Sequence, residues 1–138
     1  MGKTFVIDAN IVLRLFIDDG SDQHLVMKRL VDKLQQGQFE FYLEIPVAME
    51  ICFVLNKYYG LDRRQIKQVL SDFVSAKGVK SEKEILLEVL HNYSEKNVDF
   101  VDAYLAAKSR TSKHYVLTWD GDFKKLNCEH YSPNEIAF

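Results

Sequence analysis

A handful of carboxylates in this chain sit where a solvated surface does not account for them. Asp8 closes the apolar run Thr4-Phe5-Val6-Ile7. Glu50 interrupts the apolar stretch Ile45–Leu55. Asp99 and Asp102 open an alanine-rich segment, and Asp120 and Asp122 follow Val116-Leu117-Thr118. Each has a plain alternative: a helix cap for Asp8, Asp99, Asp102 and Asp122, a buried ion pair for Glu50, and a turn around Gly121 for Asp120. The remaining acids, Asp18, Asp19, Asp22 and Asp62 among them, read as loop or cap residues. Gathered in one place, the first group would repel. A like-charged pair at about 4 Å costs about 1–4 kcal/mol, depending on the local dielectric. Such a cluster therefore calls for a cation. An all-oxygen donor set without histidine or thiolate suits Mg²⁺ or Mn²⁺ rather than zinc. Ions of that kind orient phosphates and activate water, so the chemistry suggested is phosphodiester hydrolysis.

The elements that must position these acids follow from pattern. Thr4–Ile7 reads as a strand buried on both faces, as in a parallel sheet. Asp8 then stands at its C-terminal end, before the helical spacing of Ile11, Val12, Leu15 and Phe16. A helix from Gln23 to Gln36 is capped by Ser21 or Asp22 and ends at Gly37. Phe39–Leu43 reads as a second strand. Pro46 opens a helix to Tyr59 whose buried stripe is Val47, Ile51, Val54, Leu55 and Tyr58, with Glu50 pointing to that side. Asp62 caps a helix over 63–76. Val79-Lys80 reads as a brief strand, and Ser81 with Glu84 forms a capping box for the next helix. Asn97–Arg110 is a helix with Asp102 in its second turn. His114–Thr118 is a strand, Asp122–Leu126 a helical turn, and Glu129–Tyr131 a weak last strand. Strands alternating with helices predict an α/β/α architecture with a four- to five-stranded, mainly parallel sheet. Two parallel strands that both end in an acid would present both acids at one sheet edge, where open α/β sheets bind ligands.

With 138 residues, 47% hydrophobic and 28% charged, the chain reads as one domain over residues 1–138 with a real core. The net charge of −2 argues against general nucleic-acid affinity, so contacts to an anionic polymer would have to come from a local patch. Cys52 and Cys128 form no CxxC pair, and the four histidines have no ligand spacing. An acid at position 8 precludes a secretory signal core, and no stretch is long enough to span a bilayer. The expectation is a cytoplasmic protein with no membrane association.

Asp8-x-Asn10, Glu50 followed by Val54-Leu55, Asp99-x-x-Asp102-Ala103 and Leu117-Thr118-x-Asp120-x-Asp122-Phe123, in that order, resemble the PIN-domain ribonucleases. In size and order the chain is most similar to the VapC-type toxins of toxin–antitoxin pairs. The resemblance implies a three-layer α/β/α fold and an endoribonuclease using one or two Mg²⁺ or Mn²⁺ ions. It implies a catalytic and metal-binding quartet of Asp8, Glu50, Asp102 and Asp120, with Asp99 and Asp122 as further supports. Asn10 and Thr118 would hydrogen-bond around the ligands. It also implies an RNA substrate, a homodimer and a cognate antitoxin. Cationic residues suited to RNA are Arg14, Lys108, Arg110, Lys113, Lys124 and Lys125. Trp119 is read chiefly as a core residue, with base stacking as the alternative. The chain departs from many relatives in having Ala9, rather than Thr or Ser, after the first aspartate. Two rivals stay open: a PIN-like module that binds metal or a partner without cleaving, and a phosphatase-like hydrolase using Asp8 as nucleophile. The second usually wants an acid two residues on, where Asn10 stands.

Overall fold

The structure is a computed structural model and describes residues 2–137. It is a mixed α/β chain in which every strand pairing is parallel. It divides into two compact units, Met1–Lys83 and Glu84–Phe138.

The first unit contains β1 (Thr4–Val6), α1 (Ala9–Phe16), α2 (Asp22–Gln35), β2 (Glu40–Tyr42), α3 (Ile45–Lys57), α4 (Arg63–Ser75) and β3 (Val79–Lys80). Its strands lie in the order β1-β2-β3, with Phe5 opposite Phe41 and Phe41 opposite Val79. Parallel neighbours need a crossover, and the helices between the strands supply it. The apolar run at the N-terminus predicts a strand covered on both faces. In the structure β1 is an edge of this sheet, with Phe5 47% and Val6 70% exposed. Burial falls instead on the middle strand and its extension, where Phe41 and Leu43 are inside. The helical core is made by Val12, Leu34, Ile51, Leu55, Ile66 and Leu70. Phe16 and Phe73 meet edge to face, with centroids 5.7 Å apart, and tie α1 to α4.

Local chemistry sets the element ends. Ser21 caps α2 by accepting from His24 N–H. Asp62 and Gln65 complete a reciprocal capping box on α4, which satisfies two otherwise orphaned donors. Gly78 has φ +88, a conformation that suits a residue without Cβ. The capping box expected at Ser81 does not form. The following helix starts later, and the Ser81 hydroxyl is buried without a hydrogen-bond partner among the described residues.

The second unit contains α5 (Lys83–Glu95, entered from the last residue of the first), α6 (Phe100–Ser112), β4 (Val116–Leu117), a 3-10 turn (Gly121–Lys125), β5 (His130–Tyr131) and α7 (Pro133–Ala137). β4 and β5 pair in parallel, Val116 opposite His130. The α6 helix begins three residues later than its sequence suggests. Asn97 is left-handed (φ 51) and Asp99 is extended, so the first helical residue is Phe100. Ala103, Ala106 and Ala107 form its buried stripe, which permits close packing. Leu86, Val89, Leu90 and Phe123 complete the unit's interior. Among the described residues no helix is long and apolar enough to cross a membrane.

Candidate functional site

Each unit carries chemistry-bearing residues. In the second unit, Asp102, Asp120 and Asp122 each offer a carboxylate oxygen, and these oxygens lie within 4.8 Å of one another. Asp102 stands in the first turn of α6, not the second as expected, because the helix starts at Phe100. Asp120 follows β4 and caps the 3-10 turn, its Oδ1 accepting the Asp122 N–H at 2.8 Å. Thr118 Oγ1 accepts the Asp120 N–H at 2.9 Å, so Thr118 fixes the backbone that carries Asp120. Lys125 Nζ lies 3.3 Å from Asp122 Oδ1 and supplies part of the counter-charge.

The electrostatics match a crowded anionic site. Burial first, and then the charges of Asp120, Asp99 and Asp122, push the Asp102 carboxyl above its ordinary value. Asp99 holds the N-cap position of α6 yet makes no capping hydrogen bond. It lies outside the close group and acts on Asp102 through charge alone. The donor set is wholly carboxylate oxygen. The spread of those oxygens is near the 4–5 Å across which a hard divalent cation, with metal–oxygen distances of about 2.1–2.5 Å, spans opposite ligands. These residues therefore fit Mg²⁺ or Mn²⁺.

In the first unit, Asp8 and Glu50 line one groove of about 400 Å³ between α1 and α3. Asp8 caps α1, its Oδ1 accepting the Ile11 N–H at 3.2 Å. Asn10 does not compete as the cap but lines the groove with Arg14. Glu50 corrects an expectation. The buried stripe of α3 is Ile45, Ala48, Ile51, Cys52 and Leu55, which leaves Glu50 exposed. The run is apolar on nearly every side, so its periodicity did not fix which face turns inward. Glu50 needs no buried partner, and its carboxylate is accessible from the groove.

The cationic candidates differ in what they do. Arg14 bonds Asp19 Oδ2 at 3.2 Å. Arg110 is committed to structure: it pairs with Glu88 and donates to the Asn127 carbonyl at 2.6 Å. Lys113 is the left-handed residue that ends α6, and Lys108 and Lys124 are exposed. Trp119 is not in the core. It is 78% exposed, with Nε1 donating to Asn134 Oδ1. Two groove residues, and one acid beside the groove, escape a sequence reading. Tyr58 and Tyr59 line the cavity of Asp8 and Glu50 although the apolar spacing places Tyr58 inside. Asp19, dismissed as a loop acid, holds Arg14. The signal that could have found Tyr58 is its i,i+4,i+8 relation to Glu50 and Val54.

Compared with known proteins, the chain matches the family model described as PIN domain over residues 5–127. No curated protein matches it.

Proposed function

Because the chain belongs to the PIN-domain family, whose members are generally metal-dependent nucleases, we propose that it is a Mg²⁺- or Mn²⁺-dependent endoribonuclease, the toxin of a toxin–antitoxin pair. The observation that carries this reading is the group of Asp102, Asp120 and Asp122 oxygens within 4.8 Å. A charge density of that kind is unfavourable unless a cation answers it. Asp102 and Asp120, with Asp122, would hold the ion. Asp8 and Glu50 are assigned to the same reaction, as the quartet of the family implies.

A divalent ion, when bound, neutralises phosphate oxygens and makes water a better nucleophile. The chain's own groups do the rest. Thr118 keeps Asp120 in position. Glu50, exposed on its groove, orients the attacking water and accepts its proton. The water oxygen bonds to phosphorus, the bond to the 3′ oxygen breaks, and the proton ends on that oxygen. The products are a 5′-phosphate and a 3′-hydroxyl. The proposed assembly is a homodimer held inactive by a cognate antitoxin.

The test is cleavage of a labelled RNA in Mg²⁺ by the parent, Asp8→Asn and Asp120→Asn. Cutting by the parent and not by the variants supports the assignment, and equal cutting by all three refutes it.

A further inference from the structure

The groove between α1 and α3 changes character along its length. On α1 the lining residues include Asn10, Leu13 and Arg14, followed by Ile17 just past its end; on α3 they are Glu50 and Val54, followed by Tyr58 and Tyr59. Along each element the polar or acidic residue comes first and the cationic or aromatic one later. Arg14 stands one turn beyond Asn10, and Tyr58 just over two turns beyond Glu50, about 6 and 12 Å along the axes at about 1.5 Å per residue. Leu13, Ile17 and Val54 supply the apolar part of the lining.

The far end is built rather than incidental. The Arg14 guanidinium is held by Asp19, whose Oδ1 in turn accepts the Ser21 N–H at 2.9 Å. The Arg14 carbonyl is bonded to Nδ1 of His24 at 2.8 Å, and that ring is buried. Arg14 is thus anchored at its backbone carbonyl and at its guanidinium, yet the side chain remains 43% exposed. An arginine has five N–H donors in a planar fork and matches phosphate oxygens. Tyr58 is 67% and Tyr59 47% exposed. Tyr58 is braced by Phe53, with centroids 6.3 Å apart, and by Lys57, 5.7 Å from its ring. Two exposed tyrosines and a fixed arginine around a cavity of about 400 Å³ offer a π-face and a phosphate fork within the volume range of ligand pockets.

We propose that this groove is a nucleotide subsite, in which Arg14 holds a phosphate and the Tyr58–Tyr59 pair stacks one base of a single-stranded RNA. The choice of RNA rests on the nuclease reading above; the subsite itself does not depend on metal chemistry. A base can stack on tyrosine only when released from its helix, so the subsite selects single strands. Asp19 acts as the positioning residue for Arg14.

The test is binding, measured by fluorescence anisotropy of a labelled single-stranded RNA oligomer in EDTA, where no cleavage can contribute. The parent should bind the single strand more tightly than the same sequence in a duplex. The Tyr58→Ala, Tyr59→Ala double variant should bind about tenfold or more weakly, as loss of a base–aromatic stack does. The Phe replacements should bind as the parent, since they keep the ring. Arg14→Gln should weaken binding and lower the salt dependence by about one counterion. Unchanged binding by the alanine variant, equal affinity for the duplex, or no binding by the parent overturns the subsite. If the parent cuts RNA while the tyrosine variants bind normally, only the subsite fails. If the predicted binding pattern holds and the parent cuts nothing in Mg²⁺ or Mn²⁺, only the nuclease reading fails.

Discussion

Asp102 is asked to be charged in a place that resists charge. Its carboxyl is pushed up by burial and by three neighbouring aspartates, so without a cation the folded state keeps its proton to higher pH than the unfolded state does. The folded state then binds more protons, and stability falls as pH rises from the ordinary carboxylate range through the raised value. Asp102→Asn removes this penalty. In chelator the variant should melt at a higher temperature than the parent at pH 7, and the difference should shrink as pH falls into the carboxylate range. RNA cleavage by the same variant should drop by about 10²-fold or more, the scale on which losing one preorganised electrostatic group acts. Thr118→Val tests positioning instead. It deletes the acceptor for the Asp120 N–H, and cleavage should fall about 10–100-fold, with circular dichroism unchanged. Asp19 is shifted the other way: hydrogen bonds from the Ser21 side chain and then its backbone hold its carboxyl below the usual range, with Arg14 a smaller cause. Its pairing with Arg14 is therefore present at neutral pH and lost only as pH falls through that lowered value.

At the scale of elements, the ends are controlled by a few residues whose replacement has a direct reading. Gly78 lies at φ +88, and a Cβ there would meet the Leu34 side chain at 2.8 Å. Gly78→Ala should cost about 1–3 kcal/mol in urea unfolding, because strain and overpacking add. Asp62→Ala removes one half of the α4 capping box and should cost about 0.5–2 kcal/mol in the same measurement. These signals are local, which is why the starts of α2 and α4 and the five strands among the described residues are legible in sequence. The α6 start is not, because Asn97 adopts a left-handed conformation that its neighbours do not announce. The orientation of α3 is not, because a helix apolar on nearly all sides has no unique inward face until its neighbours choose one. That choice turned Glu50 and Tyr58 outward and Cys52 inward, where burial pushes the thiol up to about 12 and renders it unreactive.

For the whole molecule, the proposed ion should be a stabilising ligand. Mg²⁺ or Mn²⁺ at about 100 times its dissociation constant should add about 2.7 kcal/mol of stability. Thermal melts with and without the ion measure this, and Asp120→Asn should abolish the gain. The same melts with Ala at Tyr58 and Tyr59 should show the ion's effect unchanged, since those residues bind no metal.

What the sequence determined by itself was the inventory: a parallel α/β chain of the PIN family, with carboxylates at strand ends and helix starts whose all-oxygen donors suit a hard cation. These follow from residue type and short-range spacing, which act over a few residues. Only the tertiary structure decided that Asp102, Asp120 and Asp122 bring their oxygens together while Asp99 stays apart. It alone showed that Glu50 faces solvent and shares its groove with Arg14 and two tyrosines. Those outcomes depend on which helix face packs inward. Packing of distant residues sets that choice, and no local pattern encodes it.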